Sequence, residues 1–536
     1  MIGSLAIKRR LGIRDRSQPA ITAIGALVAV YYFGAFLYIA LRRLHYPFAL
    51  DWVEGESLIQ VARLLKGQML YIRPSYEYVA LTYPPLYYYV SALVARSMGL
   101  EMAALRLVSL IASLGCMVLI YLICRREGTR VVPAVLASGF FAATYQLSGT
   151  WFDVARIDML ATVLVLCAIY FMARRTTVSY VIAGLCLALA CLTKQTNILS
   201  LLVLCVYVIV LERRALLPFG LASLGSLILT SLLLDRYYSG WYRFFTLTSA
   251  FGSNSSPAMT PSMVVSSIPD FWLHGILEPL PIISVLMIAY ALAMLGIGLK
   301  IEPGPYGRFL GIRIVRQIPA SDDLRRTCFY IFCAAGLLGT SWGSIAHEGS
   351  FNNDLIPAFA IEAIILGLSI QHFCFGDQPG LLRRNLALGA CILQLILLYY
   401  PIGAQIPTLS DLRAGQALLT EIREQPGEVY VLFHPELALM AGKQTYASWD
   451  SMFQLEGNYG GGDIEETRRV KAEMSNAMAR HKFSMIILDK DLNWVWGHPE
   501  KYYYMRTDPI FDRSDVFWPV TGWPVRPTWV MFPKPP

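Results

Sequence analysis

The chain has few charged residues. Lysine, arginine, aspartate and glutamate make up 15% of its 536 residues, against about a quarter in soluble proteins. Hydrophobic residues supply 56%, and the mean hydropathy is +0.49. This composition excludes an ordinary soluble protein and indicates an integral membrane protein. The net charge of +8 does not indicate nucleic-acid binding, because the basic residues lie in short clusters between apolar runs.

Cysteine is absent after residue 391. All ten cysteines lie between Cys116 and Cys391, in or beside apolar runs. A disulfide framework and a cysteine-ligated metal site are therefore not expected, and buried free thiols are the simplest interpretation. A histidine-rich ligand set is also missing. A divalent cation beside paired carboxylates is a cofactor that the sequence allows but does not require.

A signal-peptide cleavage pattern is missing at the N-terminus as well. A basic stretch (Lys8, Arg9, Arg10, Arg14 and Arg16) instead precedes the uncharged run 20–41. That run is too long for the apolar region of a signal peptide, and it is long enough to cross a bilayer as a helix. We therefore expect it to be the first membrane span.

Apolar runs recur over residues 1–401 and predict an α-helical polytopic membrane domain with about eleven transmembrane helices. The predicted spans are 20–41, 107–124, 131–147, 159–173, 178–192, 198–211, 215–234, 276–299, 327–346, 355–375 and 386–401. Basic residues collect in alternate connections, namely Arg125–Arg130, Arg174–Arg175, Arg213–Arg214, Lys300–Arg326 and Arg383–Arg384. Since basic loops stay cytoplasmic, the N-terminus is predicted on the cytoplasmic side of the cell membrane and the C-terminal part on the outer side.

The first outer segment, 42–106, is long. Its apolar stretch Tyr87–Met98 has only about a dozen residues, so we expect an interfacial or re-entrant segment and not a span. Within the same segment, Glu54–Lys66 has helical periodicity, with Leu58 and Ala62 on one face and Glu56 and Gln60 on the other. This pattern is typical of a helix that lies on the membrane surface.

The composition becomes polar after Pro401. A helix is predicted over Leu409–Glu424, and strands over Glu428–Phe433 and Phe483–Leu488. Residues 402–536 are therefore predicted to form a small α/β domain, and an odd number of spans places it outside the cell.

Polar residues gather at the predicted outer ends of the spans, where they invite a functional explanation. Each also has a structural interpretation: Asp158 could cap the helix that follows it, and Lys194 could extend from a span end to the interface. The group consists of Asp51, Glu54, Glu56, Asp153, Arg156, Asp158, Lys194, Arg236, Arg243, His347, Glu348, Asn352, Asn353 and Asp354.

Several of these residues belong to short motifs that occur in a characteristic order. The motifs are Asp51-Trp-Val-Glu54-Gly-Glu56, Ala62-Arg63-Leu-Leu-Lys-Gly67, Tyr83-Pro84-Pro85-Leu86-Tyr87, Ala155-Arg156-Ile-Asp158, Leu192-Thr193-Lys194-Gln195 and Gly349-Ser-Phe-Asn352-Asn353-Asp354-Leu-Ile-Pro357. In this order the chain resembles the GT-C type membrane glycosyltransferases, the class of the protein O-mannosyltransferases and the lipid A aminoarabinose transferase. The stretch Ala441-Gly442-Lys443 is similar to part of the extracytoplasmic domain of uncharacterised bacterial relatives.

The resemblance implies an inverting transfer of a sugar from a polyprenyl-phosphate donor to an extracytoplasmic glycan, lipid or protein. Such a step needs a carboxylate base at the acceptor hydroxyl. Many relatives have adjacent Asp and Glu in the first outer loop, and counting back from Ala62 places that Asp on Glu54. Asp51 lies three residues upstream. Asp51 and Glu54 are both candidates, and we favour Asp51 because it is nearer to the first span.

The same step needs cations on the departing phosphate. Lys194 and Arg243 fit this role, with Arg63 and His347 as further candidates. Asp153 or Asp158 could orient the acceptor or hold a cation. The resemblance also implies substrate contacts by the remaining polar motif residues, namely Tyr83, Arg156, Gln195, Asn352 and Asn353.

Three other functional classes are alternatives for this sequence. A secondary transporter predicts inverted repeats and ionisable groups near the bilayer midplane, whereas the charges of this sequence lie at span ends. A non-catalytic receptor or assembly protein would tolerate loss of Asp51, Glu54 and Lys194. A lipid-linked-glycan polymerase or ligase uses similar chemistry, so the sequence leaves that alternative open.

Overall fold

A computed structural model describes residues 17–249, 252–253, 256–257, 260–303, 310–316, 321–347, 349–376, 381–456, 465–490, 492 and 495–535. The N-terminal basic stretch, Arg308 and Glu348 lie outside these ranges. Most of the described chain is helical, as its long apolar runs predict.

The α-helices are α1 Ser17–Leu44, α2 Glu54–Leu65, α3 Leu86–Met98, α4 Met102–Arg126, α5 Val131–Ala143, α6 Asp158–Met172, α7 Thr177–Cys191, α8 Ile198–Leu211, α9 Leu216–Gly220, α10 Ser226–Tyr237, α11 Trp241–Arg243, α12 Pro261–Ile268, α13 Pro281–Met294, α14 Ser321–Ile345, α15 Ile356–Phe375, α16 Leu381–Leu397, α17 Leu409–Glu424, α18 Pro435–Met440, α19 Trp449–Leu455 and α20 Glu465–Ala479. π-Helical turns continue α9, α11 and α12 over Leu221–Gly225, Phe244–Ser249 and Pro269–Leu277.

The strands are β1 Gly252–Ser253, β2 Ser256–Pro257, β3 Ile297–Pro303, β4 Leu310–Arg316, β5 Glu428–Val431, β6 Phe483–Leu488, β7 Tyr503–Met505 and β8 Trp529–Pro533. Strands β1 with β2 and β3 with β4 form two antiparallel pairs. The other four form one sheet in the order β5-β6-β8-β7, in which β5 and β6 are parallel and the remaining pairs are antiparallel.

Five helical segments of the described chain are long and apolar enough to cross a membrane, or seven if two bent helix pairs are each one span. The five are Ala20–Leu44, Met102–Arg126, Arg213–Tyr237, Leu324–Ile345 and Asn352–Phe375. The predicted spans near residues 131, 159, 178 and 198 are helices of 17 residues or fewer. The count of eleven therefore stays a prediction, because helices of this length cross a bilayer only when it thins locally or other residues extend them.

The long helices pack side by side through small residues. α5 contacts α1, α4 and α15, and α14 contacts α8 and α15. At Gly139 a Cβ atom would lie 2.3 Å from the Cβ atom of Ala29, so glycine is needed where α5 meets α1. Large apolar side chains such as Leu27 and Leu217 remain exposed on the outside of the bundle, as expected for a surface that faces lipid.

The helix predicted after Val53 is confirmed as α2, but its predicted polar face is not exposed to water. Glu56 and Gln60 are buried together with the apolar face. The cause is α18, which packs against α2 so closely that a Cβ atom on Gly55 would clash with the Glu436 carboxylate. A helix on the membrane surface would not be enclosed in this way.

Residues 402–535, hereafter the C-terminal segment, contain the four-stranded sheet and helices α17 to α20. The predicted helix α17 is confirmed, and the first predicted strand ends at Val431, two residues before its expected end. Val520 and Thr521 donate backbone hydrogen bonds to the Leu50 carbonyl. The C-terminal segment therefore lies directly over the turn that follows α1.

Candidate functional site

A cavity of about 170 Å³ lies where turns of the helical bundle meet the C-terminal segment. Its wall is built from the segments before α2 and α3, the loop before α6, the turns after α7 and α14, and helix α19. The lining residues include Trp52, Tyr83, Arg156, Lys194, Gln195, His347, Phe351, Asn353, Asp354, Asp450, Phe453 and Gln454. Segments distant in the chain thus bring several of the predicted polar residues to one place, namely Arg156, Lys194, His347, Asn353 and Asp354.

Lys194 sits between two carboxylates at this wall. Its Nζ lies 2.7 Å from an oxygen of Asp158 and 2.7 Å from an oxygen of Asp354. Asn353 Nδ2 donates to the same Asp158 oxygen at 3.0 Å. Burial alone would lower the pKa of Lys194, but the two carboxylates raise it above its usual value. The ammonium therefore stays charged, and one of its three N–H groups remains for a ligand.

Arg156 continues this row of alternating charge. Its Nη1 lies 3.4 Å from Asp51 Oδ2, and its Nε lies 3.9 Å from Asp158 Oδ2. The guanidinium lies over the Trp151 ring, 4.6 Å from the ring centroid, and 5.9 Å from the centroid of Tyr83. Aromatic walls and paired carboxylates thus hold a second fixed cation beside Lys194.

Asp51 immediately precedes the lining residue Trp52 in the chain and is fully buried. Its Oδ2 accepts a hydrogen bond from the Val53 amide at 3.3 Å and faces Arg156. Within the described chain, Oδ1 has no hydrogen-bond partner, and it faces Gly522, where a Cβ atom would come within 2.5 Å of it. Burial raises the pKa of Asp51 to about 8 against the opposing charge of Arg156.

Glu54 is also fully buried, but its carboxylate is saturated. Arg106 donates to both oxygens, at 2.9 Å and 2.7 Å. The backbone amides of Leu50 and Ala155 each donate one further bond of 2.6 Å. Burial alone would raise the pKa of Glu54, but Arg106 and these amides hold it below its usual value. In this arrangement Glu54 has no oxygen free to take up a proton.

The structure does not bring Asp153, Arg63, Arg243 or Asn352 to the cavity. Asp153 pairs with Arg43 at 3.1 Å inside the bundle. Arg63 lies 3.7 Å over the ring of Tyr78 and lines a separate cavity. Arg243 is exposed beside Asp235, 3.7 Å away. Tyr83, Gln195, His347 and Asn353 do line the cavity, whereas the neighbouring Asn352 is exposed.

Helix α19 supplies three lining residues that the sequence did not point to, Asp450, Phe453 and Gln454. They lie far from the other motifs in the chain, in a polar stretch with no distinguishing pattern. Gln454 Nε2 donates to Asp450 Oδ2 at 2.8 Å, and burial raises the pKa of Asp450 to about 6. Only the packing of the C-terminal segment onto the bundle reveals them.

Among the described residues, no group of three or more His, Cys, Asp or Glu side chains is arranged to hold a metal ion. The carboxylates around the two cavity-lining cations face those cations instead: Asp158 and Asp354 pair with Lys194, and Asp51 pairs with Arg156. The part of the chain that the structure describes thus offers no preformed ligand set for the divalent cation that the sequence allows.

Comparisons with known proteins add two findings. The family model described as "Dolichyl-phosphate-mannose-protein mannosyltransferase" matches residues 82–234. The crystal structure of ArnT from Cupriavidus metallidurans bound to undecaprenyl phosphate is similar over 94% of this chain and 97% of its own, with a TM-score of 0.57 and 14% identity. The apo crystal structure of the same ArnT is similar over 86% of this chain and 93% of its own, with a TM-score of 0.55 and 15% identity.

The archaeal oligosaccharyltransferase AglB from Archaeoglobus fulgidus is a more distant match, with a TM-score of 0.47 and 10% identity over 88% of this chain and 73% of its own. No curated protein sequence matches the chain.

Proposed function

Because the chain has the fold of the GT-C type membrane glycosyltransferases, we propose that it transfers a sugar from a polyprenyl-phosphate donor to an acceptor on the outer side of the cell membrane. The single observation that carries this proposal is the pair of fixed cations, Arg156 and Lys194, which share the Asp158 carboxylate at the wall of one cavity.

Two cations side by side suit a departing phosphate. When the bond between the sugar and the phosphate breaks, negative charge collects on the phosphate oxygens, and donors already in place stabilise it without reorganisation. Arg156 offers a planar guanidinium and Lys194 a compact ammonium. Because carboxylates hold both side chains, these donors are oriented before the donor lipid binds.

Asp51 is the proposed base. The acceptor hydroxyl gives its proton to the Asp51 carboxylate, the hydroxyl oxygen forms a bond to the anomeric carbon, and polyprenyl phosphate leaves with inversion. Trp52, the residue after Asp51, lines the cavity, and its ring contacts Phe351 at a centroid distance of 4.7 Å. The acceptor therefore reaches Asp51 when this ring moves aside. Glu54, saturated by Arg106, positions the loop that carries Asp51.

The position of the cavity fits a substrate that is part lipid. The cavity lies at the ends of the apolar helices and beneath the C-terminal segment. A polyprenyl chain can stay in the bilayer while its phosphate and sugar enter at the interface. The acceptor would approach from the water on the outer side, which follows the proposed orientation of the spans.

A reconstituted assay tests the proposal. The full-length protein in lipid nanodiscs is incubated with a panel of polyprenyl-phosphate sugars, and free sugar and polyprenyl phosphate are measured. We expect at least one donor to be consumed, and Lys194→Gln to consume it more slowly. Lys501→Gln, which changes an exposed lysine of the C-terminal segment, is the matched control. Intact donors across the panel would refute the proposed function.

A further inference from the structure

Helix α19 of the C-terminal segment forms one wall of the cavity through Asp450, Phe453 and Gln454. The other walls come from turns of the helical bundle, which hold the two cations. One side of the cavity is therefore built by the bundle. The other side is built by α19, which follows Arg156 and Lys194 by more than two hundred positions in the chain.

The helix is held rigidly in the C-terminal segment. Ser448 caps it by accepting a hydrogen bond from the Ser451 amide at 3.3 Å. The Trp449 ring stacks on Phe433 and Phe453, with ring centroids 5.1 Å and 4.7 Å apart. The Trp449 amide also donates to the Leu432 carbonyl at 2.8 Å. Asp450 is therefore presented to the cavity by a fixed element.

Gln454 connects Asp450 to the bundle. Its Nε2 donates to Asp450 Oδ2 at 2.8 Å, and its Oε1 accepts from the amide and hydroxyl of Thr82 at 3.1 Å and 2.8 Å. The Thr82 carbonyl in turn accepts from Gln195 Nε2 at 3.3 Å. A continuous row of hydrogen bonds thus links Asp450 to the residue next to Lys194.

The charges around Asp450 indicate what it can bind. Lys194 is matched by Asp158 and Asp354, so Asp450 adds further negative charge to the cavity. Arg156 and Tyr83 face it from the bundle, and the carboxyl groups of Asp51 and Glu56 also act on it. A carboxylate repels a phosphate but is a strong acceptor for a hydroxyl group. Gln454 donates to Oδ2, and Asp450 also has a side-chain hydrogen bond with Trp52. A carboxylate has about four lone-pair sites, so it can accept a further hydrogen bond from such a ligand.

We propose that Asp450 binds the acceptor, so that the C-terminal segment forms the acceptor side of the active site. Its carboxylate accepts a hydrogen bond from an O–H group of the acceptor other than the one that gives its proton to Asp51; in a water molecule this is the second O–H group. This inference rests on the proposed function. It assigns the phosphate to Arg156 and Lys194, and the hydroxyl-bearing partner to α19.

The test separates chemistry from donor binding. The donor is the polyprenyl-phosphate sugar that the protein consumes fastest, at a saturating concentration. Water serves as the acceptor probe, and the rate of sugar release is measured. We expect Asp450→Asn to lower the release rate at least about tenfold, since one strong hydrogen bond to the attacking group is weakened. The Kd for undecaprenyl phosphate should stay unchanged. Asp450→Glu should recover part of the rate, and Asp512→Asn, an exposed carboxylate of the same segment, should have no effect.

The outcomes are distinguishable. If the unmodified protein consumes no donor, the proposed function fails. If it releases sugar and Asp450→Asn does so at the same rate, this inference alone fails. A loss of undecaprenyl-phosphate affinity in Asp450→Asn would also overturn it, because the residue would then act on the donor side. Asp450→Ala provides the same comparison if the asparagine variant does not fold.

Discussion

Arg106 of α4 donates hydrogen bonds to both carboxylate oxygens of Glu54 of α2 in the protein interior, at 2.9 Å and 2.7 Å. The same guanidinium donates to the carbonyl of Arg43 in the last turn of α1, and to the carbonyls of Tyr46 and Phe48 just after that helix. One buried pair therefore fixes the end of the first long helix, the start of α2 and the neighbouring helix α4.

Glu54→Gln should destabilise the fold. The change leaves Arg106 buried without a countercharge, which costs about 3–5 kcal/mol in comparable buried pairs. Thermal unfolding and the yield of protein extracted in mild detergent measure this effect. A Glu54→Gln variant that folds normally but transfers no sugar would instead identify Glu54 as the base.

Asp51→Asn should remove activity and leave the fold intact. A general base contributes about 10²- to 10⁴-fold to a rate, so we expect a loss of that size in sugar release. Stability should change little, because burial already favours the uncharged form of this carboxyl group. Sugar release at the unmodified rate would exclude Asp51 as the base.

The reaction should speed up as the pH rises. A base must be deprotonated to accept a proton, and burial raises the pKa of Asp51 to about 8. Most molecules are therefore inactive below pH 8, and the rate should climb through that value and then level off. A pH profile of sugar release measures this, and the climb should be absent in Asp51→Asn. A profile that falls from pH 7 to pH 9 would contradict the assignment.

Lys194→Gln should weaken binding of polyprenyl phosphate by about tenfold or more, because one of two phosphate-facing cations is lost. It also leaves Asp158 and Asp354 without their shared partner, and their repulsion opposes the incoming phosphate. Titration of undecaprenyl phosphate into nanodiscs that contain the protein gives the Kd, with Lys501→Gln as control. Equal affinity in both variants would place the phosphate elsewhere.

Gly522→Ala should reduce activity from within the C-terminal segment. Its φ is +78°, and a Cβ atom would lie 2.1 Å from the Trp52 ring and 2.5 Å from Asp51 Oδ1. Gly442→Ala is a matched control, because its φ is +76° with open space around the added atom. Both should lose stability through backbone strain, and Gly522→Ala should lose more, because the added atom overlaps Trp52. Only Gly522→Ala should slow sugar release. Equal rates would show that Trp52 and Asp51 tolerate displacement.

The chain shares the fold of ArnT, and the family model described as "Dolichyl-phosphate-mannose-protein mannosyltransferase" matches residues 82–234, as the resemblance read from short motifs implies. Helices α2 and α17 were predicted to within a residue or two, because their periodicity is a local property of the sequence. The burial of Glu56 could not be predicted in this way. It depends on α18, which lies hundreds of residues away in the chain and covers the polar face of α2.

The sequence alone determined where the apolar helices run and that the polar residues collect at their ends, since hydropathy and charge can be counted along a short stretch. It also brought Lys194, Arg156 and Asp158 forward as a group. The tertiary structure decided which acids face a cation, which one is saturated, and that Asp450 joins the cavity. Ion pairs and cavity walls form between segments distant in the chain, so no local pattern records them.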